Sequence, residues 1–174
     1  GLLACQWLKH LGAKIIGTAG SEKKALLAKQ NGCDEVILYK DEDFVEKVKY
    51  LTDGKGVDVV YDGVGKDTAI SGLDCLKPLG TMVVFGNSSG NCPPIDPGLL
   101  ASKGSLFFTR PTLMNYGTKE EDLLHSSGRV FEMILTNKIK LEINTSYKLS
   151  DVSIAHRDLE LRKTYGSVVM ENDY

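Results

Sequence analysis

Gly1-Leu2-Leu3-Ala4-Cys5-Gln6-Trp7-Leu8-Lys9-His10-Leu11-Gly12-Ala13-Lys14-Ile15-Ile16-Gly17-Thr18-Ala19-Gly20 decides the fold. Leu3, Trp7 and Leu11 recur four apart, with Ala4 and Leu8 beside them, which is the spacing of one apolar helix face. Lys14-Ile15-Ile16-Gly17-Thr18 then reads as a short buried strand. A helix that opens on a glycine and feeds such a strand implies a further strand and turn ahead of Gly1.

The alternation continues downstream. Ser21 can cap a helix reaching Lys29, with an apolar run at Ala25, Leu26, Leu27 and Ala28. Glu35–Leu38 is the next strand. Asp41, Glu42 and Asp43 load acid into a first turn, where the helix dipole favours it. Phe44, Val48 and Leu51 line that helix. Val57–Tyr61 is a strand. Asp67 can cap a helix running to Leu76, which Pro78 and Gly80 stop. Thr81–Phe85 is a strand ending on Gly86. Residues 87–104 form a loop with one short helix capped by Asp96, with Pro97 in its first turn. Ser105–Thr109 is a further strand. Thr118 and Glu121 read as a capping box, opening a long helix that buries Leu123, Val130, Phe131, Ile134 and Leu135.

Helices alternating with β-branched strands predict βαβ crossovers and a parallel sheet. The fold class is α/β, a doubly wound parallel sheet of Rossmann type lacking its first strand. That strand would be central, so its absence leaves two unpaired ladders. The preferred reading is part of a longer chain. After Asn137 the pattern changes: Ile139, Leu141 and Ile143 alternate with polar residues. Ser150 can cap a helix with Val152, Ala155 and Leu159, and Ser167–Met170 is a last strand. The expected domains are 1–137, nucleotide-binding, and 138–174, an α+β segment of a different domain.

At 174 residues the chain suits one domain plus a short extra piece. Its 42% hydrophobic and 25% charged fractions are those of an ordinary globular protein. A net charge of −2 offers no basic field to nucleic acid or an anionic membrane. No apolar run reaches the roughly 18 residues of a membrane helix. Cys5, Cys33, Cys75 and Cys92 have no close-paired spacing, which points to a reducing, cytoplasmic setting. No Cys/His grouping has zinc-ligand spacing, so no metal is expected.

Ligands of such sheets bind beyond the carboxyl ends of the strands. Those ends are Gly17–Ser21, Tyr39, Tyr61–Gly65, Phe85–Ser89 and Thr109, mostly glycine and small polar residues. Turn glycines are common after any strand, and only their recurrence at successive strand ends carries weight. A domain that binds NAD usually places Asp or Glu after its second strand for the ribose 2′-hydroxyl. Here Gly17-Thr18-Ala19-Gly20-Ser21-Glu22-Lys23-Lys24 puts no acid at the tip. Lys23 or Lys24 and Ser21 suit a 2′-phosphate instead, which favours NADP. Both lysines also read as solvated helix residues.

Six stretches in order resemble the quinone oxidoreductase (zeta-crystallin-like) family of zinc-independent medium-chain dehydrogenases/reductases. They are Gly1–Gly20, Val57–Asp67, Leu73–Leu76, Val84–Ser89, Lys103–Thr112 and His156–Gly166. The resemblance implies an NADP(H) cofactor and a quinone or electron-poor enone acceptor. It makes Gly1 the last glycine of a phosphate turn. Gly20, Ser21 and Lys24 become the 2′-phosphate pocket, and Tyr39 packs near the adenine ribose. Gly63 stands where the family often carries Ser. Phe85, Gly86, Asn87 and Ser88 line the nicotinamide half, and Phe107, Phe108 and Thr109 wall it. Arg162 returns to the cofactor from the tail. The resemblance further implies a homodimer through the edge strand near 105–109, and a GroES-like catalytic domain to which 138–174 belongs. No general acid is visible in this segment, and the catalytic residues are left unassigned.

Two other readings compete. A methyltransferase shares the alternating order but needs an acid after the second strand. A crystallin-like or RNA-binding protein is disfavoured by the net charge and the lack of an aromatic-basic surface pattern.

Overall fold

A computed structural model describes residues 1–161 and 163–172. Compactness divides the chain into two units, 1–38 with 128–174, and 39–127.

In the first unit, α1 (Leu2–His10) leads through a glycine turn into β1 (Ile16–Ala19), α2 (Glu22–Gln30) and β2 (Glu35–Leu38). The strands pair in parallel, Ile16 opposite Glu35 and Ala19 opposite Leu38. Ile15, Ala19, Ala25 and Ile37 are buried. Asp34 fastens the turn before β2: its carboxylate accepts the Ile15 N–H at 2.8 Å and the Lys9 ammonium at 2.5 Å. Gln6 ties α1 to two segments, donating to Asn31 Oδ1 at 2.7 Å and accepting the Lys140 N–H at 2.7 Å. The tail, expected as an α+β piece, holds β6 (Ile143–Lys148), α8 (Val152–Glu160) and β7 (Ser167–Glu171). Its two strands run parallel.

In the second unit, α3 (Phe44–Leu51) is capped by Asp43, whose carboxylate accepts the Val45 N–H at 2.8 Å. Next come β3 (Val57–Asp62), α4 (Ala69–Leu73), β4 (Leu76–Val84), α5 (Pro97–Ser102), β5 (Phe107–Thr109) and α6 (Leu113–Tyr116). The three strands form one parallel sheet in the order β3-β4-β5. Ala69, Leu73, Leu76, Met82, Val84 and Leu106 make its core. Such burial contributes roughly 1.5–3 kcal/mol per large apolar side chain. Asp96 caps α5 through the Gly98 N–H at 2.9 Å, with Pro97 in the first turn as the sequence predicts.

The described strands therefore form parallel ladders in three separate sheets. β1 pairs with β2 and β3 with β4, and each keeps one edge with no described strand on it. Tyr61 of β3 is 60% exposed, unlike a residue in the middle of a doubly wound sheet.

Several local expectations are corrected. The helix expected from an Asp67 cap to Leu76 is only α4, which follows Thr68. β4 begins at Leu76, before the supposed stop signals. Leu76 pairs with Val57, and the register then jumps to Val59 opposite Thr81. Pro78 and Gly80 sit in that bulge, where proline's missing N–H breaks no ladder bond.

Thr118 does not build a capping box. Its hydroxyl donates to Met114 O at 2.7 Å, and Glu121 pairs with Lys119. The long helix, α7 (Glu120–Leu135), buries Met133 and leaves Leu123, Val130, Phe131 and Leu135 exposed. Leu3 of α1 and its C-cap Leu11 are exposed too, as are Val152 and Leu159 of α8, where only Ala155 is buried. The pattern marks which face of each helix is apolar. Burial needs a partner surface, and nothing among the described residues covers these.

Candidate functional site

In the first unit the expected phosphate-binding residues lie at the N-termini of two helices. Gly1 is the N-cap of α1, and the Cys5 N–H donates to its carbonyl at 3.0 Å. A cleft of about 180 Å³ opens beside it, lined by Gln6, Asn31, Lys140, Glu142 and Ser167. At the tip of β1, Gly20 leads to Ser21, the N-cap of α2. Ser21 Oγ accepts the Lys24 N–H at 3.4 Å. The hydroxyl keeps its own proton to donate. The N-terminus of α2 adds a partial positive charge at this tip. No acidic side chain occupies the Gly17–Ser21 stretch. Lys23 lies over the Tyr165 ring at 4.7 Å, a cation–π contact the sequence did not signal. The Arg162 assignment lies outside the described residues.

The second unit joins two glycine loops at the carboxyl ends of adjacent strands. Asp62, 6% exposed, ends β3. Its carboxylate accepts the Val64 N–H at 2.6 Å, the Gly65 N–H at 3.2 Å and the Thr68 hydroxyl at 2.9 Å. The Phe85 and Gly86 N–H groups donate to the Asp62 carbonyl. Ser89 bridges the loops, accepting the Asp67 N–H at 3.1 Å and donating to Val64 O at 2.9 Å.

Two glycines here are required sterically. A Cβ on Gly86 would overlap the Gly63 carbonyl oxygen. Gly65 has φ +89°, and a Cβ on it would stand 2.6 Å from Gly90 O. Phe85, Asn87 and Ser88 are exposed at the loop rim, with Asn87 donating to Asn91 at 3.2 Å. Tyr39, just past β2, is exposed. In β5, Phe107 and Thr109 are exposed, while Phe108 packs against the core.

Sequence reasoning missed Asp62 and Ser89. The Asp62-Gly63-Val64-Gly65 order carried a signal for the first, since Asp before such a turn commonly accepts the backbone N–H groups that follow it. Nothing local marked Ser89, whose partners lie 22 and 25 residues away.

Among the described residues no three His, Cys, Asp or Glu side chains stand together where they could hold a metal ion. No helix among them is long and apolar enough to cross a membrane.

Parallel βα units whose glycine loops gather at strand ends define a doubly wound α/β protein of nucleotide-binding architecture. Residues 1–121 match the family described as zinc-binding dehydrogenase, and the chain belongs to it. It is 49% identical over 172 residues to a quinone oxidoreductase of Salmonella typhimurium, covering 98% of this chain and 53% of that protein. A 2-haloacrylate reductase of Burkholderia is 38% identical over 174 residues, with coverages of 98% and 51%. Among solved structures, the Escherichia coli quinone oxidoreductase complexed with NADPH superposes with a TM-score of 0.93 at 48% identity, covering 98% of this chain and 53% of that one. The chain thus spans about half the length of the relatives it matches.

Proposed function

We propose that this chain is the NADPH-binding part of a quinone reductase, passing reducing equivalents from NADPH to a quinone or electron-poor enone. The observation that carries the reading is the tip of β1. From Gly17 to Ser21 it has no carboxylate to hold a ribose diol, and Ser21 and Lys24 follow at the N-terminus of α2, whose first turn also holds Glu22. A dianionic phosphate suits that helix N-terminus and its lysine. The likeness to an oxidoreductase complexed with NADPH supports the same assignment.

NADPH supplies the hydride chemistry when bound. The residues of this chain bind and orient it. Gly1, Gly20, Ser21 and Lys24 take the phosphates, and Tyr39 packs near the adenine ribose. Gly63, Phe85, Gly86, Asn87 and Ser88 take the nicotinamide half, where glycine lets the backbone approach and the Phe85 ring limits water. Phe107, Phe108 and Thr109 form its wall, and Arg162 adds a tail cation. No residue here is assigned as a proton donor, and none is needed if the reduced quinone takes its protons from solvent. Residues 1–137 form the cofactor domain, and 138–174 belong to the catalytic domain. The exposed Phe107 on edge strand β5 suits a homodimer made strand to strand, and the intact enzyme works in the cytoplasm.

Cofactor titration of the intact protein tests this reading. NADPH should bind at least about tenfold tighter than NADH, the value of one charge-assisted contact. Equal affinities would remove the phosphate-pocket argument.

A further inference from the structure

A second lysine stands at the start of α2, and an aromatic ring holds it. Lys23 follows Glu22 and precedes Lys24 in the first turn of that helix. It is exposed, and its ammonium lies 4.7 Å from the centroid of the Tyr165 ring. The ion pairs among the described residues do not involve it. An aromatic face attracts an ammonium without neutralising it. Lys23 therefore keeps its charge while losing rotamer freedom that a bound anion would otherwise have to freeze out.

The ring is set in place by the tail. Tyr165 is half-buried and stands two residues ahead of β7. Ser167 opens that strand opposite Ile143, and its N–H donates to Glu142 O at 3.3 Å. Gly166 makes the intervening turn with φ +69°, and a Cβ on it would overlap the Asn144 side chain. Gly166 and Ser167 also line the cleft beside Gly1. One short stretch of the tail thus borders both helix N-termini of the proposed phosphate site.

We propose that Lys23 is a second cation for the 2′-phosphate of NADPH and that Tyr165 is the residue that positions it. The inference rests on the reading of the β1 tip as a phosphate site. Gly17–Lys24 holds one acid, Glu22, and two lysines. Glu22 offsets one of them, so Lys23 is what leaves the stretch net positive. A dianionic phosphate can accept from more than one ammonium. Tyr165 acts through the lysine and touches no phosphate itself. NADH, which lacks the 2′-phosphate, draws on neither residue.

Fluorescence titration of the intact protein with NADPH and with NADH tests the pair. Lys23→Gln should weaken NADPH binding by about three- to tenfold and leave NADH unchanged. Lys23 is exposed, so this variant removes the charge without disturbing packing. Tyr165→Leu should weaken NADPH by about two- to fivefold, the span of an exposed cation–π contact, and Tyr165→Phe should keep the original preference because it keeps the ring. The double variant of Lys23→Gln with Tyr165→Leu should bind NADPH no more weakly than Lys23→Gln alone. Unchanged NADPH affinity in Lys23→Gln would overturn the proposal. So would a Tyr165→Leu variant that loses both cofactors alike, or only melts earlier, which is the behaviour of a structural tether. Additive losses in the double variant would also overturn it, since Tyr165 would then act without the lysine. These failures leave the phosphate-site reading standing if Lys24→Glu still selects against NADPH. Equal binding of NADPH and NADH by the unsubstituted protein would remove both.

Discussion

The Phe85 ring lies against Gly63, its nearest atom 3.1 Å from where a Cβ on Gly63 would stand. The ring closes over the one position in the β3 loop where the resembling family often carries Ser. At 56% exposure it has open solvent on its other side and can swing away. The adjacent Gly86 has no such freedom, because what it faces is the Gly63 backbone.

Gly63→Ala and Gly86→Ala should therefore differ sharply. The first displaces a side chain and should cost under about 1 kcal/mol. The second displaces backbone and should cost about 1–3 kcal/mol, the range of overpacking. Urea midpoints of the two variants check the order, and equal losses would contradict it.

Asp62→Ala should destabilise by about 1–3 kcal/mol, since it strands buried N–H donors that have no other acceptor in the loop. Asp62→Asn keeps one carbonyl oxygen and should lose less. Hydrogen exchange at the Val64 and Gly65 amides should quicken in both, more so in the alanine variant. Unchanged protection would show that the loop holds itself.

Lys24→Glu should weaken NADPH binding in the intact protein by about tenfold or more while leaving NADH nearly untouched. The charge change acts only on the group that distinguishes the two cofactors. A parallel loss for both would mean that the fold, and not the pocket, was damaged.

The Lys9 ammonium and then the Ile15 N–H hold the Asp34 carboxyl below the usual aspartate value of 3.8. A carboxyl lowered in the folded state stabilises it above its unfolded value. That contribution is lost as pH falls through the folded value. Thermal melts between about pH 2 and 7 should show this acid loss in the native chain, and Asp34→Asn should flatten that limb while lowering the neutral-pH midpoint. An unaltered acid limb would place the pH dependence elsewhere.

What the sequence determined by itself is local and periodic. Ser21 and Asp96 announced helix starts because a short acceptor side chain satisfies orphan N–H groups wherever a helix begins, whereas Asp43, read as a first-turn acid, is itself the N-cap of α3. The β-branched runs announced strands, and their alternation with helices announced parallel pairing. The glycine clusters marked the strand ends where the candidate site lies. The tertiary structure alone decided which apolar faces are buried. Leu11 and Leu135 carry the pattern of core residues yet stand exposed, since burial belongs to a pair of surfaces and not to one helix. It also decided that Pro78 sits in a bulge and that Asp62 and Ser89 knit two loops together. These contacts join residues distant in the chain, and their energies depend on geometry that no local spacing encodes.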